Sequence, residues 1–224
     1  MTHILLIDDD EVLLRTLRIN LNARGYQVHA AADAATGLAA AGRQPPDLVI
    51  VDLGLPDLDG LRVVESLRGW TGVPIIVLSA RHDEGTKVAA LDVGADDYVT
   101  KPFGMNEFLA RVRAALRRVT PTAEAPVITT AAFVVDLSAK RVTGSSGEIR
   151  LTPTEWHLLE ALARHPDRLV GHRELLREVW GPQYESETNY LRVHLANLRR
   201  KLEPDPTRPR YLITEPGLGY RFVP

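Results

Sequence analysis

The 224-residue chain contains no cysteine. Disulfides, cysteine-ligated zinc and thiol catalysis are therefore excluded, and a reducing, cytoplasmic location is expected. No apolar run approaches the roughly 20 residues that span a bilayer, so no membrane insertion is expected. No early stretch joins a basic segment to an apolar one and a cleavage site, so secretion is not expected either. There is no internal repeat. Net charge is scarce as well, at −2 from 27 Lys and Arg against 29 Asp and Glu. Residues 1–118 hold 13 basic and 16 acidic side chains, and residues 127–224 hold 14 and 12. That asymmetry is too small to establish nucleic-acid binding, so the placement of charge matters more than its sum. Apolar content of 45% and charged content of 25% are ordinary for a globular protein, and the length allows one or two domains.

What is present begins with alternation. Strand-like runs at 4–7, 26–30, 48–53, 74–78 and 97–100 are separated by helical patterns at 11–24, 33–43, 60–67, 84–92 and 106–118. Five strands alternating with five helices predict an α/β domain with a doubly wound, five-stranded parallel sheet over residues 1–118. Residues 119–126, rich in Thr, Pro and Ala without an apolar period, read as a linker. From 127 to 151 the chain breaks into short β-rich pieces, predicting a small antiparallel sheet. Helical patterns follow at 154–164, 173–180 and 188–202, and then a glycine-turned hairpin over 211–223. Helices followed by a hairpin predict a winged helix-turn-helix domain over 127–224.

Chemistry gathers where the apolar runs stop. Asp8, Asp9 and Asp10 follow the first strand, Asp52 ends the third, Ser79 ends the fourth, and Tyr98 and Lys101 belong to the fifth. In an open parallel sheet the ligand crevice lies beyond the carboxyl ends of the strands. Asp9, Asp52 and the backbone carbonyl just after Asp52 can supply oxygen ligands to Mg²⁺, with Asp8 holding a coordinated water. Asp52 can act as a nucleophile toward phosphorus, with Lys101 and Ser79 serving the phosphoryl oxygens. A lone acid after a strand is usually a helix cap, and that reading is kept for Asp10 and Asp33. Asp57 and Asp59 likewise read as turn and cap residues.

The set Ile7-Asp8-Asp9-Asp10, residues 52–60, Ser79-Ala80-Arg81, residues 94–98 and Lys101-Pro102-Phe103 resembles a bacterial response-regulator receiver domain of flavodoxin-like fold. The resemblance implies that Asp52 accepts phosphate from a sensor histidine kinase. It implies Mg²⁺ held by Asp8, Asp9, Asp52 and the Gly54 carbonyl, a switch pair of Ser79 and Tyr98, and Lys101 on the phosphoryl group. In receivers of the OmpR/PhoB class it further implies a two-fold dimer on phosphorylation. Its expected pairs are Lys87 with Glu107, Asp97 with Arg111 and Asp96 with Arg118.

In the second half, residues 188–201 contain no acidic residue. Leu191, Leu195, Leu198 and Leu202 are expected on the core. Asn189, Val193, Ala196, Asn197 and Arg200 are expected to face out, flanked by Arg192, His194, Arg199 and Lys201. Such a helix fits a major groove, with Asn and Arg reading bases and flanking cations holding phosphates. A solvated basic helix would look much the same, and the hairpin carrying Thr214, Tyr220 and Arg221 is what favours double-stranded DNA. Residues 127–224 resemble the OmpR/PhoB winged-helix effector, which implies that 188–202 is the recognition helix and that loop 181–187 meets RNA polymerase. Pro216 stands where relatives carry a basic wing residue. Motifs across both halves look like regulators of high-affinity potassium-uptake operons.

Two other readings compete. An aspartyl-phosphate hydrolase would want a second aspartate two residues after Asp52, where Gly54 stands. A constitutive DNA binder with a vestigial receiver would not need the intact acidic set.

Overall fold

The computed structural model describes residues 2–116 and 127–224. They form two compact units, one within each stretch. The expected linker and the final residues of the helix expected to reach 118 lie outside the described residues.

In the first unit, β1 (His3–Ile7), β2 (Gln27–Ala31), β3 (Leu48–Asp52), β4 (Ile75–Ser79) and β5 (Asp97–Thr100) form one parallel sheet in the order β2-β1-β3-β4-β5. β3 and β4 are buried at every position, which is why they read as unbroken apolar runs rather than alternating ones. The connecting helices are α1 (Glu11–Asn22), α2 (Ala34–Arg43), α3 (Gly60–Arg68), α4 (Glu84–Asp92) and α5 (Met105–Ala115). Leu14, Leu17 and Leu21 of α1 and Phe108 and Val112 of α5 join Ile50 and Leu78 in one core cluster. The chain goes from β1 outward to β2 and then returns past β1 to β3. The gap between the β1 and β3 carboxyl ends is the topological switch point at which such sheets bind ligands.

Carboxylates start the helices. Asp10 accepts from Val12 N and Leu13 N of α1, Asp33 from Thr36 N of α2, and Asp59 from Leu61 N of α3. Asp57 does more than cap a turn. Both of its oxygens accept, at 2.9 Å, from Ala34 N and Ala35 N at the start of α2, 22 and 23 residues earlier. Those bonds hold its carboxyl below the usual range.

The second unit opens with an antiparallel sheet of β6 (Val127–Thr129), β7 (Phe133–Asp136), β8 (Arg141–Gly144) and β9 (Gly147–Ile149). Next come α6 (Pro153–Ala163), β10 (Leu169–Gly171), α7 (His172–Val179), a 3-10 turn at Pro182–Tyr184 and α8 (Thr188–Leu202). β11 (Leu212–Glu215) and β12 (Gly219–Phe222) close the chain. Thr152 and Glu155 form a reciprocal capping box at the start of α6. The expected two-stranded hairpin is in fact a three-stranded sheet, β10-β12-β11. Leu169–Gly171 is too short to show a period, and it becomes a strand only by pairing with β12. A side chain at Gly219 would put Cβ 2.0 Å from Val170 O, so glycine is what lets these strands approach. Among the described residues, no helix is long and apolar enough to cross a membrane.

At Gly60, a Cβ would lie 2.2 Å from Asp52 O and 2.7 Å from Leu53 Cα, both backbone atoms that cannot swing aside. At Gly42, nothing lies within 4 Å. We expect Gly60→Ala to destabilise the first unit by about 2–3 kcal/mol, and Gly42→Ala to stabilise it by about 0.5–1 kcal/mol. Hydrogen exchange of β3 and β4 amides measures this unit separately, because a two-unit chain has no single two-state midpoint.

Candidate functional site

Three strand ends bring the first site together. Asp8 follows β1, Asp52 ends β3 and Lys101 follows β5. Lys101 Nζ lies 2.7 Å from Asp8 Oδ2 and 2.7 Å from Asp52 Oδ1. The two acids are only 2% and 6% exposed. Asp52 Oδ2 accepts from Gly54 N at 2.5 Å, and Asp8 Oδ1 accepts from Asp10 N at 3.0 Å. The Lys101–Pro102 peptide bond is cis. Burial raises the Asp8 carboxyl above its ordinary value, although Lys101 pulls it back in part. Burial opposes the charge on Lys101, but its bonds to Asp52 and Asp8 outweigh that and leave its pKa raised.

One ammonium between two buried carboxylates leaves the pocket negative, and Asp9 adds a third acid at its exposed rim. An excess of hard oxygen donors fits a divalent cation such as Mg²⁺. Among the described residues, no three acidic side chains already stand as a ligand set. Lys101 lies between Asp8 and Asp52, while Asp9 faces solvent. The donor chemistry therefore fits Mg²⁺, although Asp9 is not gathered in.

Ser79 and Tyr98 meet through Arg81. Ser79 Oγ accepts from Arg81 N at 3.0 Å, and Tyr98 OH donates to Arg81 O at 2.8 Å. The Tyr98 ring is already buried. Burial raises its phenol pKa, against a lowering hydrogen bond with Ser79.

The expected dimer residues stand differently from one another. Arg111 bonds within its own chain to Asp97 Oδ1 at 3.0 Å and to Glu107 Oε1 at 2.7 Å. Lys87 is half-buried on α4. Arg118 lies outside the described residues. Asp96, expected on the surface, is buried instead. Its Oδ2 accepts from Arg68 Nη2 at 2.5 Å and from Ile75 N at 2.8 Å. Arg68 also donates to Gly94 O and Val73 O, so one guanidinium staples the end of α3 to the approaches of β4 and β5. A lone arginine at a helix end gives no sequence signal for such a role.

On α8 the buried stripe is wider than the four leucines suggested. Tyr190 and His194 join it, in an aromatic layer with Trp180 and Tyr184. Val193 and Asn197 are their neighbours one turn along, and they are only 9% and 7% exposed. Val193, His194 and Asn197 therefore do not lie on the outer strip. Thr188, Arg192, Ala196 and Arg200, four residues apart, form it instead. Arg200 donates to Asn197 Oδ1.

The hairpin also corrects expectation. Tyr220 is buried edge-on against His172, because β12 is the central strand of its sheet. Burial raises its phenol pKa. Arg221 donates to Asp167 O at 2.7 Å and to Glu215 Oε1 at 3.0 Å. Arg199 is turned onto β11 and bonds exposed Thr214 at 2.7 Å. Lys201 Nζ reaches the buried Glu155 Oε2 at 2.5 Å. Glu155, Glu203 and Arg68 were missed by sequence reasoning, and only the capping-box spacing at Glu155 could have raised one of them.

Because Asp8 has a raised folded-state pKa, its contribution to stability is full below the ordinary value of 3.8 and is lost as pH rises through the folded value. Asp8→Asn removes that loss. In metal-free buffer we expect the variant to unfold at higher urea than the parent at neutral pH, with the difference closing as pH falls to 3.8. Parallel titrations of the urea midpoint check this.

Residues 4–113 match the response regulator receiver domain, and residues 146–222 match the C-terminal domain of transcriptional regulatory proteins. Over 99% of both chains, this chain is 61% identical to the transcriptional regulatory protein KdpE of Mycobacterium tuberculosis. It is 46% identical to the KDP operon transcriptional regulatory protein KdpE of Escherichia coli over the full length of both. Among solved structures, a RitR mutant covers 99% of both chains with a TM-score of 0.76 at 23% identity, which supports the fold alone. DrrB, an OmpR/PhoB homologue from Thermotoga maritima, covers all of both chains with a TM-score of 0.55 at 26% identity. The two KdpE relatives are transcriptional regulatory proteins, the family is not one of classical enzymes, and the hydrolase reading falls away. The chain belongs to the OmpR/PhoB family of DNA-binding two-component response regulators, within which it is KdpE-like.

Proposed function

We propose that Asp52 is phosphorylated by a sensor histidine kinase and that this event controls promoter binding by the winged domain. The observation that carries the reading is Lys101 Nζ set 2.7 Å from both Asp8 and Asp52 at the strand ends. A carboxylate oxygen of Asp52 attacks the phosphorus of a phosphohistidine. The P–O bond forms, the P–N bond breaks, and the imidazole leaves and takes up a proton. Asp8, Asp9, Asp52 and the Gly54 carbonyl would hold Mg²⁺, which neutralises charge on the phosphoryl oxygens. Lys101 gives up its bond to Asp52 Oδ1 and takes one to a phosphoryl oxygen.

The new oxygens then compete for Ser79. Drawing Ser79 toward them weakens its bond to Arg81 N and so disturbs Arg81 O, which holds Tyr98. That repacks the face made by α4, β5 and α5. Arg111 can exchange its own Asp97 for a partner's across a two-fold axis, with Lys87 opposite Glu107, each pair used twice. On the winged domain, Arg192 and Arg200 of the outer strip approach the duplex. Loop 181–187 is left for RNA polymerase. The KdpE relatives support a potassium-transport operon as the target, with action in the cytoplasm, where promoter DNA is found.

Acetyl phosphate with Mg²⁺ is expected to add one phosphoryl group to the chain and none to Asp52→Asn, read by intact-mass spectrometry. Footprinting on the chain's own genomic promoters should tighten with phosphodonor for the parent only. No added mass on residue 52 would sink the proposal. Arg111→Ala is expected to accept phosphate normally yet to sediment as a monomer, which analytical ultracentrifugation checks.

A further inference from the structure

Two side chains four residues apart, Arg199 in the last turn of α8 and Glu203 at its C-cap, grip the outer strand of the wing. Arg199 Nε and Nη2 donate to Leu212 O at 2.9 and 2.5 Å, and Nη2 also donates to Thr214 Oγ1 at 2.7 Å. Glu203 Oε1 accepts from Tyr211 N at 2.9 Å and from Leu212 N at 2.8 Å, and its Oε2 accepts from Arg210 N at 2.8 Å. Both backbone groups of Leu212 are thus held by side chains from the last turn of α8 and its C-cap. β11 is an outer strand, so one row of its backbone groups faces away from β12 and needs other partners. Glu203 is buried, with both oxygens occupied.

We propose that Arg199 and Glu203 are positioning residues for DNA recognition, locking the β11–β12 wing to α8 so that helix and wing meet one duplex in fixed register. The proposal rests on reading α8 as the helix that enters the groove. The Arg199 fork is committed to Leu212 O and Thr214, so its charge is not aimed at a phosphate. Glu203 could not serve a phosphate at all. The pair therefore acts on selectivity between sequences rather than on general attraction to DNA.

The two roles separate by salt. Each phosphate contact steepens the fall of log K with log salt by about 0.9, whereas a positioning residue leaves that slope alone. Lysine keeps arginine's charge but lacks its planar fork, so it restores a phosphate contact but not this clamp.

The test uses the full chain, a duplex enriched by that chain from a randomised pool, and a random duplex of equal length. Affinities are read by fluorescence anisotropy over a salt series, and folding is checked by thermal unfolding. Arg199→Lys and Glu203→Gln are expected to weaken the enriched duplex about tenfold, a loss of the size of one mismatched base pair. Binding to the random duplex and both salt slopes should stay unchanged. Arg192→Ala, on the exposed strip, is the control for α8 itself. It should weaken both duplexes and lower the slope by about one. If Arg192→Ala changes nothing, the placement of α8 on DNA fails and the proposal with it. Suppose Arg192→Ala behaves as expected, but Arg199→Ala also lowers the slope by about one and Arg199→Lys restores it. Then Arg199 is a phosphate contact and only the positioning proposal is overturned. Should Glu203→Gln fail to fold, Arg199→Lys decides alone.

Discussion

Two carboxylates held out of water, with a single ammonium between them, set the terms for the receiver unit. Asp8 and Asp52 would repel each other if Lys101 were elsewhere, and without them burial would press the Lys101 pKa down instead of leaving it raised. The parallel sheet enforces the meeting, because β1, β3 and β5 all end on the same side. Charge there does not balance, and the surplus is useful. A divalent cation would offset that surplus, and under the proposed phosphorylation Lys101 would gain a phosphoryl oxygen as a new partner. A pocket built only for stability would not bury a carboxylate whose ionisation is penalised, as that of Asp8 is.

Elsewhere buried charge does a different job. Arg68 with Asp96 and Lys201 with Glu155 tie together elements far apart in sequence, and Arg199 and Glu203 tie α8 to the next element, β11. Pairs of this kind often add little net stability, because desolvation offsets their attraction. They do restrict where the joined elements can sit. In the winged unit, the joined elements are α6, α8 and the hairpin, the parts whose mutual placement a DNA duplex would sense. Arg68 does the same at the opposite end of the sheet from the acidic pocket.

The link from pocket to surface passes through few atoms. Arg81 offers its N–H to Ser79 and its carbonyl to Tyr98, so one residue's backbone joins the hydroxyl at the end of β4 to the aromatic side chain of β5. Tyr98 is already inside, so a switch at this pair would change what holds the ring rather than fill a void. Arg111, bonded to Asp97 and Glu107 of its own chain, already has the contacts that a two-fold partner would replace.

Much of the first unit was legible in the residues. Period, caps and strand-end acids suffice because neighbours along the chain decide them. α4 and β5 fall on their expected residues, and Asp10, Asp33 and Asp59 cap the helices they precede. The convergence of Asp8, Asp52 and Lys101 was legible too, since strand ends in an alternating fold must lie together. What the linear order could not decide was every contact between distant segments. The strand Leu169–Gly171 exists only because β12 lies beside it. Asp57 caps a helix that precedes it by 22 and 23 residues. The outward face of α8 turned away from Val193, His194 and Asn197 because aromatics from the C-cap of α7 and the following 3-10 turn widened its buried stripe. Leucine spacing by itself describes one helix, but which arc of that helix is buried depends on the shape of what packs against it. The sequence alone therefore determined the fold class, the strand-end chemistry and the presence of a basic helix. Only the tertiary structure decided which side chains of that helix remain available to a partner, because burial belongs to the packed pair and not to either segment.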